Sequence, residues 1–175
     1  SDISMLFDED PGDFPVKLAP DWTGHMGHPL LDMPKDLSPW GASLSDKYFN
    51  VGVQLLNLSM WREEKISEML MEKARLHPEL MFIADQNLVN LYLYGRIGEL
   101  SPRWNKQFVY RKIREGEWKM PYCVHAWDPP HIIHFVSEEK PWLPNCALPE
   151  KELFFRYWQK TKFPFQRPDQ ASESE

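Results

Sequence analysis

The residues of this chain best suited to chemistry lie in His134-Phe135-Val136-Ser137-Glu138-Glu139-Lys140-Pro141-Trp142. The stretch follows an apolar pair, Ile132-Ile133, and so reads as a strand running out into a loop. A neutral imidazole at the strand's end can ligate a divalent metal. Lys140, further along the same loop, offers a compact positive charge to a phosphate. Pro141 stiffens the backbone behind it, and Trp142 can pack or stack. Metal ligand plus phosphate cation on one loop is what a metal–diphosphate site requires. Alone the pairing decides little, because a histidine beside an apolar strand is more often structural.

Two further stretches add weight. Tyr48-Phe49-Asn50-Val51-Gly52-Val53-Gln54-Leu55-Leu56-Asn57-Leu58 reads as a strand with Asn and Gly at its entry. An Asn amide can both donate to and accept from hydroxyls, and a Gly permits close backbone approach. Ala84-Asp85-Gln86-Asn87-Leu88-Val89-Asn90 puts Asp, Gln and Asn at the start of a helix. In this order the three stretches resemble glycosyltransferase family 8, the retaining nucleotide-sugar hexosyltransferases. Its patterns are Y-F-N-[AS]-G-V-x-L-[IV]-N-L, then D-Q-D/x-x-[LV]-N, then I-I-H-[FY]-x-G-x-x-K-P-W. The resemblance covers roughly residues 1–145.

The resemblance implies an α/β fold of the nucleotide-diphospho-sugar transferase type (glycosyltransferase A). It implies transfer of a hexose from a UDP-sugar to a glycan or lipid-linked glycan acceptor, such as a lipopolysaccharide core, with retention. By the same carry-over His134 is one metal ligand, for the Mn²⁺ or Mg²⁺ of the complete enzyme, and Lys140 binds the diphosphate. Asn50 and Gly52 line the transferred sugar. Asp85 hydrogen-bonds that sugar, and Gln86 lies near the reacting carbon. Gln86 is a poor nucleophile, so its carbonyl is expected to stabilise positive charge on the ring while the acceptor attacks from the front face. Asp21 matches a position near the sugar or acceptor. Three positions depart from the pattern: Ser137 for a Gly, Val51 for a smaller residue, and Asn87 for a frequent Asp. Val51 is expected to narrow the pocket.

Asp8-Glu9-Asp10 fits an Asp-x-Asp metal signature. It lies in Leu6-Phe7-Asp8-Glu9-Asp10-Pro11-Gly12-Asp13, which resembles a family surface turn that follows the metal motif. The family's own Asp-x-Asp and most of its uridine-binding half precede that turn. The expectation is therefore the C-terminal part of a transferase, lacking its N-terminal nucleotide-binding part and impaired alone. The alternative is a non-catalytic sugar-binding remnant, or a half that assembles with a separate nucleotide-binding half. His25 with His28, and His125 with His131, lack thiol or carboxylate partners in sequence and read as solvated loop histidines rather than zinc ligands.

Composition sets the remaining bounds. The chain has 175 residues, one domain's worth, with 42% hydrophobic content, enough for a core. A net charge of −6 argues against wholesale nucleic-acid binding. Cys123 and Cys146 form no disulfide framework, which suits a reducing cytoplasm. No apolar run has the length of a membrane span. Residues 151–168 mix aromatic and basic side chains. They read either as a helix docked by its aromatic side or as a peripheral contact with the inner membrane surface. The expected division is 1–148 for the catalytic part, 149–168 for this segment, and 169–175 for a disordered tail.

The elements that must position these residues follow from periodicity. Val16–Ala19 reads as a short strand ended by Pro20, and residues 20–45 as a long surface loop. Ile3 to Phe7 reads as a short packed turn. Ser59 is placed to cap a helix running to about His77, with Ile66, Met69, Leu70 and Ala74 inward. Asp85 is placed to cap the next helix, with Leu88, Leu91 and Tyr92 inward and Gly95 as its stop. Residues 131–136 form the last strand. Strand and helix alternate, as in an α/β layer structure.

Overall fold

The computed structural model describes residues 2–108, 129–136, 140–144, 146 and 150–163. They fall into two compact units, Ser1–Lys106 with Met120–Ile133, and Gln107–Lys119 with His134–Glu175.

In the first unit β1 (Val16–His25) is the middle of a three-stranded sheet. β2 (Lys47–Leu56) lies antiparallel on one side and β3 (Ile97–Glu99) parallel on the other. Val16, Leu18 and Ala19 are wholly buried, as expected for a strand covered on both faces. The strand does not stop at Pro20. β3 ends opposite Leu18, so no neighbour on that side needs the N–H that proline lacks. On the other side Pro20 faces Phe49, whose N–H and C=O both bond to the Asn90 side chain.

The β1–β2 register then breaks. Leu18 faces Gln54 but Ala19 faces Asn50, so Val51, Gly52 and Val53 have no facing residue on β1. Such a bulge takes backbone groups out of the ladder and leaves them to find other partners.

The expected long helix is broken. α2 (Leu58–Glu63) is capped by Asn57, not Ser59, through Oδ1 accepting from Met60 N at 3.2 Å. Lys65 then turns left-handed (φ 52°), and α3 (Ile66–Leu76) starts afresh, burying Ile66. Periodicity hides such a break, because one αL residue restores the same apolar face. α4 (Gln86–Tyr92) is buried at every position from Gln86 to Leu91. Leu88 and Leu91 join Met26, Leu31, Leu37, Tyr48 and Leu80 in one core cluster. Val89, with Leu93 just beyond the helix, joins Val16, Leu18 and Ile66 in another. Burying each such side chain contributes roughly 1.5–3 kcal/mol.

Residues 20–45 are thus more than a surface loop. They continue β1, form short 3₁₀ turns at Pro29–Leu31 and Ser38–Trp40, and supply Met26, Leu31 and Leu37 to the core. Near the start, α1 (Ser4–Phe7) buries only Leu6, while Ile3, Met5 and Phe7 stay exposed.

β4 (Lys106–Phe108) pairs with β5 (Ile133–Phe135), and most of both strands lies in the second unit. The last strand is thus shorter than residues 131–136. In α5 (Lys151–Trp158) Phe155 is buried, and the Phe154 ring sits 5.4 Å from Trp142, 5.3 Å from Trp158 and 6.5 Å from Phe135. The aromatic side of this helix therefore docks on its own unit. Tyr157 and Phe163 remain exposed. Residues 164–175 lie outside the described residues. No helix among those described is long and apolar enough to cross a membrane.

Candidate functional site

The bulge in β2 creates the site. Val51 N–H, without a strand partner, donates to Gln86 Oε1 at 3.1 Å. Gly52 N–H donates to Asn50 Oδ1 at 2.9 Å. Both amide side chains then turn their nitrogens to one carboxylate. Asp21 Oδ2 accepts from Asn50 Nδ2 at 2.9 Å and from Gln86 Nε2 at 3.1 Å. Its Oδ1 accepts from Thr23 N at 2.9 Å and Thr23 Oγ1 at 2.8 Å. Asn105 Nδ2 completes the group by donating to Asn50 Oδ1 at 2.8 Å.

This cluster is nearly dry. Asp21 and Asn105 are 2% exposed, Asn50 5% and Gln86 7%. The network fixes the amide orientations chemically: an ionised carboxylate only accepts, so each NH₂ must face it, and backbone N–H groups claim the carbonyl oxygens.

α4 is sewn onto β2 by two further asparagines. Asn90 Oδ1 accepts from Phe49 N at 2.8 Å, and its Nδ2 donates to Phe49 O at 2.9 Å. The side chain thereby stands in for a neighbouring strand. Asn87, wholly buried, accepts from Tyr48 Oη at 2.5 Å and donates to Leu31 O at 3.0 Å. A carboxylate there could not donate to that carbonyl, which accounts for Asn in place of the family's frequent Asp. Burial pushes the Tyr48 hydroxyl well above the usual phenol range, and the charges of Asp21 and Asp85 push the same way. Tyr48 is therefore a fixed neutral donor, and it registers two carboxylates around one small region.

Asp85 occupies the N-cap position of α4 but makes no capping bond with its side chain. Its backbone is already helical (φ −79°, ψ −11°), whereas a capping side chain needs an extended one. The exposed carboxylate is left facing outward. Just before it, Ala84 adopts φ 47°, ψ −130°, a conformation that favours glycine. The Val51 side chain packs against the core cluster of Val16, Leu18, Ile66, Val89 and Leu93.

The structure thus brings Asp21, Asn50 and Gln86 into contact. Gly52 is exposed beside them, bonded through its N–H to Asn50. His134 and Lys140 belong to the second unit. His134 lies half-buried on β5, and Lys140 Nζ donates to the Phe135 carbonyl. Ser137 lies outside the described residues. Among those described, no three His, Cys, Asp or Glu side chains are grouped to hold a metal ion. Asp10 Oδ1 accepts from Gly12 N at 2.8 Å in an exposed turn. Of the metal centre expected of the complete enzyme, His134 is the one ligand that the resemblance assigns to this chain, and it lies on β5.

The other histidines have local roles. His25 Nδ1 lies 3.2 Å from Leu44 O, and His28 accepts from Leu30 N at 3.3 Å. His28 is buried, so it is no solvated loop residue. His131 stacks on Trp104 with ring centroids 4.3 Å apart. Burial, then the charge of Arg103, lowers its pKa. His125 lies outside the described residues.

A family model described as glycosyl transferase family 8 matches residues 1–146. The chain belongs to this family. A general stress protein A of Bacillus subtilis (strain 168) is 29% identical over 167 residues, covering 93% of this chain and 55% of its own length. A lipopolysaccharide 1,3-galactosyltransferase of Salmonella typhimurium is 25% identical over 112 residues, 62% of this chain and 32% of that protein. The crystal structure of the galactosyltransferase LgtC, in complex with donor and acceptor sugar analogues, superimposes with a TM-score of 0.67 at 21% identity. That match covers 95% of this chain and 59% of LgtC. This family 8 chain has the α/β, glycosyltransferase A-type fold, and it spans about half the length of its first-matching curated relative.

Two members of the cluster, Thr23 and Asn105, were missed in the sequence. Thr23 could have been suspected from Asp21-Trp22-Thr23, since Asp commonly bonds two residues on. Asn105 could not, because its contact to Asn50 spans 55 residues and neither residue type nor period announces it.

Proposed function

We propose that this chain carries the sugar side of a retaining hexosyltransferase that moves a hexose from a UDP-sugar to a glycan acceptor. The observation that carries the reading is the dry Asp21–Asn50–Gln86 cluster on the β2 bulge. Side chains held this firmly before a ligand arrives are what transition-state stabilisation requires. In the proposed arrangement Asn50 and the exposed Asp85 hydrogen-bond sugar hydroxyls, and Gly52 lets the ring approach the backbone. Asp21 anchors the two amides beside the sugar. Gln86 Oε1 already receives the Val51 N–H, and its remaining lone pair faces the positive charge that develops at the ring carbon. The acceptor then attacks from the face the diphosphate leaves. Lys140 supplies the diphosphate's counter-charge after exchanging its carbonyl partner. In the complete enzyme His134 would be one ligand of the family's divalent cation, which would offset the charge on the leaving diphosphate.

The test is binding and turnover of UDP-galactose and UDP-glucose by the 175-residue chain. Saturable binding weakened by Asp85→Ala and Lys140→Ala is expected, with transfer to a glycan falling about 100-fold in Gln86→Ala. A folded chain that binds neither nucleotide sugar, alone or mixed with a nucleotide-binding half, overturns the reading. A second reading, a sugar-binding piece or a half that assembles with a separate nucleotide-binding half, draws on the 55% and 59% coverage of the relatives. Restoration of transfer only on mixing with such a half selects it. Peripheral contact with an anionic membrane through residues 151–168 remains a proposal alongside either, read by vesicle co-sedimentation.

A further inference from the structure

We propose that Asn105 is a positioning residue for the sugar-facing amide of Asn50; the sugar role of Asn50 rests on the function proposed above. A carbonyl oxygen has two lone pairs. Asn50 Oδ1 gives one to Gly52 N–H at 2.9 Å and the other to Asn105 Nδ2 at 2.8 Å. Asn50 Nδ2 spends one hydrogen on Asp21 Oδ2 at 2.9 Å. Among the described residues, the group of Asn50 left to meet a sugar is the second N–H of that amide. Asn50 therefore acts as a donor only, narrower than the donor-and-acceptor role its residue type allows. The sugar atom facing it must be an acceptor, a hydroxyl or ring oxygen with a free lone pair.

Asn105 is delivered to this position by its own turn. Pro102 opens the 3₁₀ turn Pro102–Asn105, and the Ser101 hydroxyl accepts from Arg103 N at 3.4 Å. Trp104 is 3% exposed and packs with Leu6 and Leu100, which fixes the turn in the core. His131 N donates to Arg103 O at 2.8 Å, and Lys106 N to Ile132 O at 3.0 Å, holding the turn's other side. With both ends held, the Asn105 amide has little freedom to leave Asn50. Removing it opens a lone pair on Asn50 and lets the amide tilt. Replacing it with Asp sets oxygen against oxygen. Asn50 cannot escape by flipping, since that would turn its oxygen onto Asp21.

The experiment reads the side-chain amide signals of Asn50, Asn87 and Asn90 by ¹⁵N NMR in the full chain, with UDP-galactose and UDP-glucose as probes. In Asn105→Ala the Asn50 pair is expected to shift and exchange faster, and more so in Asn105→Asp, while the Asn87 and Asn90 pairs stay in place. Asn105→Ser reports the same displacement if the alanine variant does not fold. Where the wild-type chain binds a probe, the Asn105 variants should bind it about tenfold more weakly. An unmoved Asn50 pair, or unchanged probe binding beside a wild type that binds, overturns the proposal. So does equal displacement of all three pairs, which marks a merely structural role. If wild type binds neither probe, alone or mixed with a nucleotide-binding half, yet the Asn50 pair alone moves, the positioning role stands and the hexosyltransfer reading falls.

Discussion

The cluster around Asp21 and the stretch from His134 to Trp142 carry equally clear sequence motifs, yet they are built in opposite ways. In the first, a strand bulge exposes backbone N–H groups that Asn50 and Gln86 accept, and Asp21, Thr23 and Asn105 close the cluster around those two amides. Asp21 alone accepts four hydrogen bonds. In the second, β5 is three residues long, Lys140 is parked on a carbonyl of its own segment, and Trp142 is held by ring packing on Phe154. The first arrangement is fixed before any ligand binds. The second keeps its cation on a neutral acceptor that a phosphate, with full negative charge, can displace.

The sharpest way to break this contrast is Asp21→Ala. It strands the Asn50, Gln86 and Thr23 donors in a dry interior, so unfolding stability should fall by about 3 kcal/mol or more. Chemical denaturation measures it, and a loss well below that would mean water enters the cluster freely. Asn87→Asp should follow at about 2–4 kcal/mol at neutral pH, because the new carboxylate meets the Leu31 carbonyl with no donor to offer. Burial raises that carboxyl's folded-state pKa above its unfolded value. Its protonated form is then the one the fold prefers, so the deficit should shrink as pH falls through the raised pKa. Denaturation midpoints of variant and wild type at two pH values check the sign.

Lys140→Ala tests the other side. Stability should change by less than about 1 kcal/mol, since one bond to a carbonyl is lost from a half-buried chain. UDP-sugar binding should weaken roughly 10- to 100-fold, the worth of a charge-assisted phosphate contact. Large destabilisation with unchanged binding would reverse the comparison.

Much of this was readable in advance, for reasons particular residues make plain. Asn50, Gln86 and Asp21 were singled out by their match to the family patterns, and the structure brings them into contact. Leu88, Leu91 and the inward face of α3 were legible because packing repeats with the helix. The bulge was not, because Val51-Gly52-Val53 continues a strand-like pattern while the register jumps beneath it. The passage of β1 through Pro20 was not, because it depends on where β3 ends and on what Asn90 offers Phe49. The helix break at Lys65 and the shift of its cap to Asn57 were hidden by an apolar face that resumes in phase. For the bulge and for Pro20, a long-range partner decided what local propensity left open.

The smallest expected effect bears on how the cluster meets the ligand. Ala84 carries φ 47°, ψ −130° directly before Asp85 and Gln86. An alanine held there costs about 1–3 kcal/mol relative to a relaxed backbone. Glycine adopts the conformation without that penalty but loses more chain entropy on folding. Ala84→Gly should therefore stabilise the fold by only about 1 kcal/mol. The informative readout is what happens to binding. If the strained turn merely connects Pro78–Ile83 to α4, the glycine variant gains stability and binds UDP-hexose as before. If the turn aims Asp85 outward while Gln86 points in, a more permissive backbone should weaken binding as stability rises. That opposite movement would place strain on the side of the rigid cluster, as part of what keeps it preorganised.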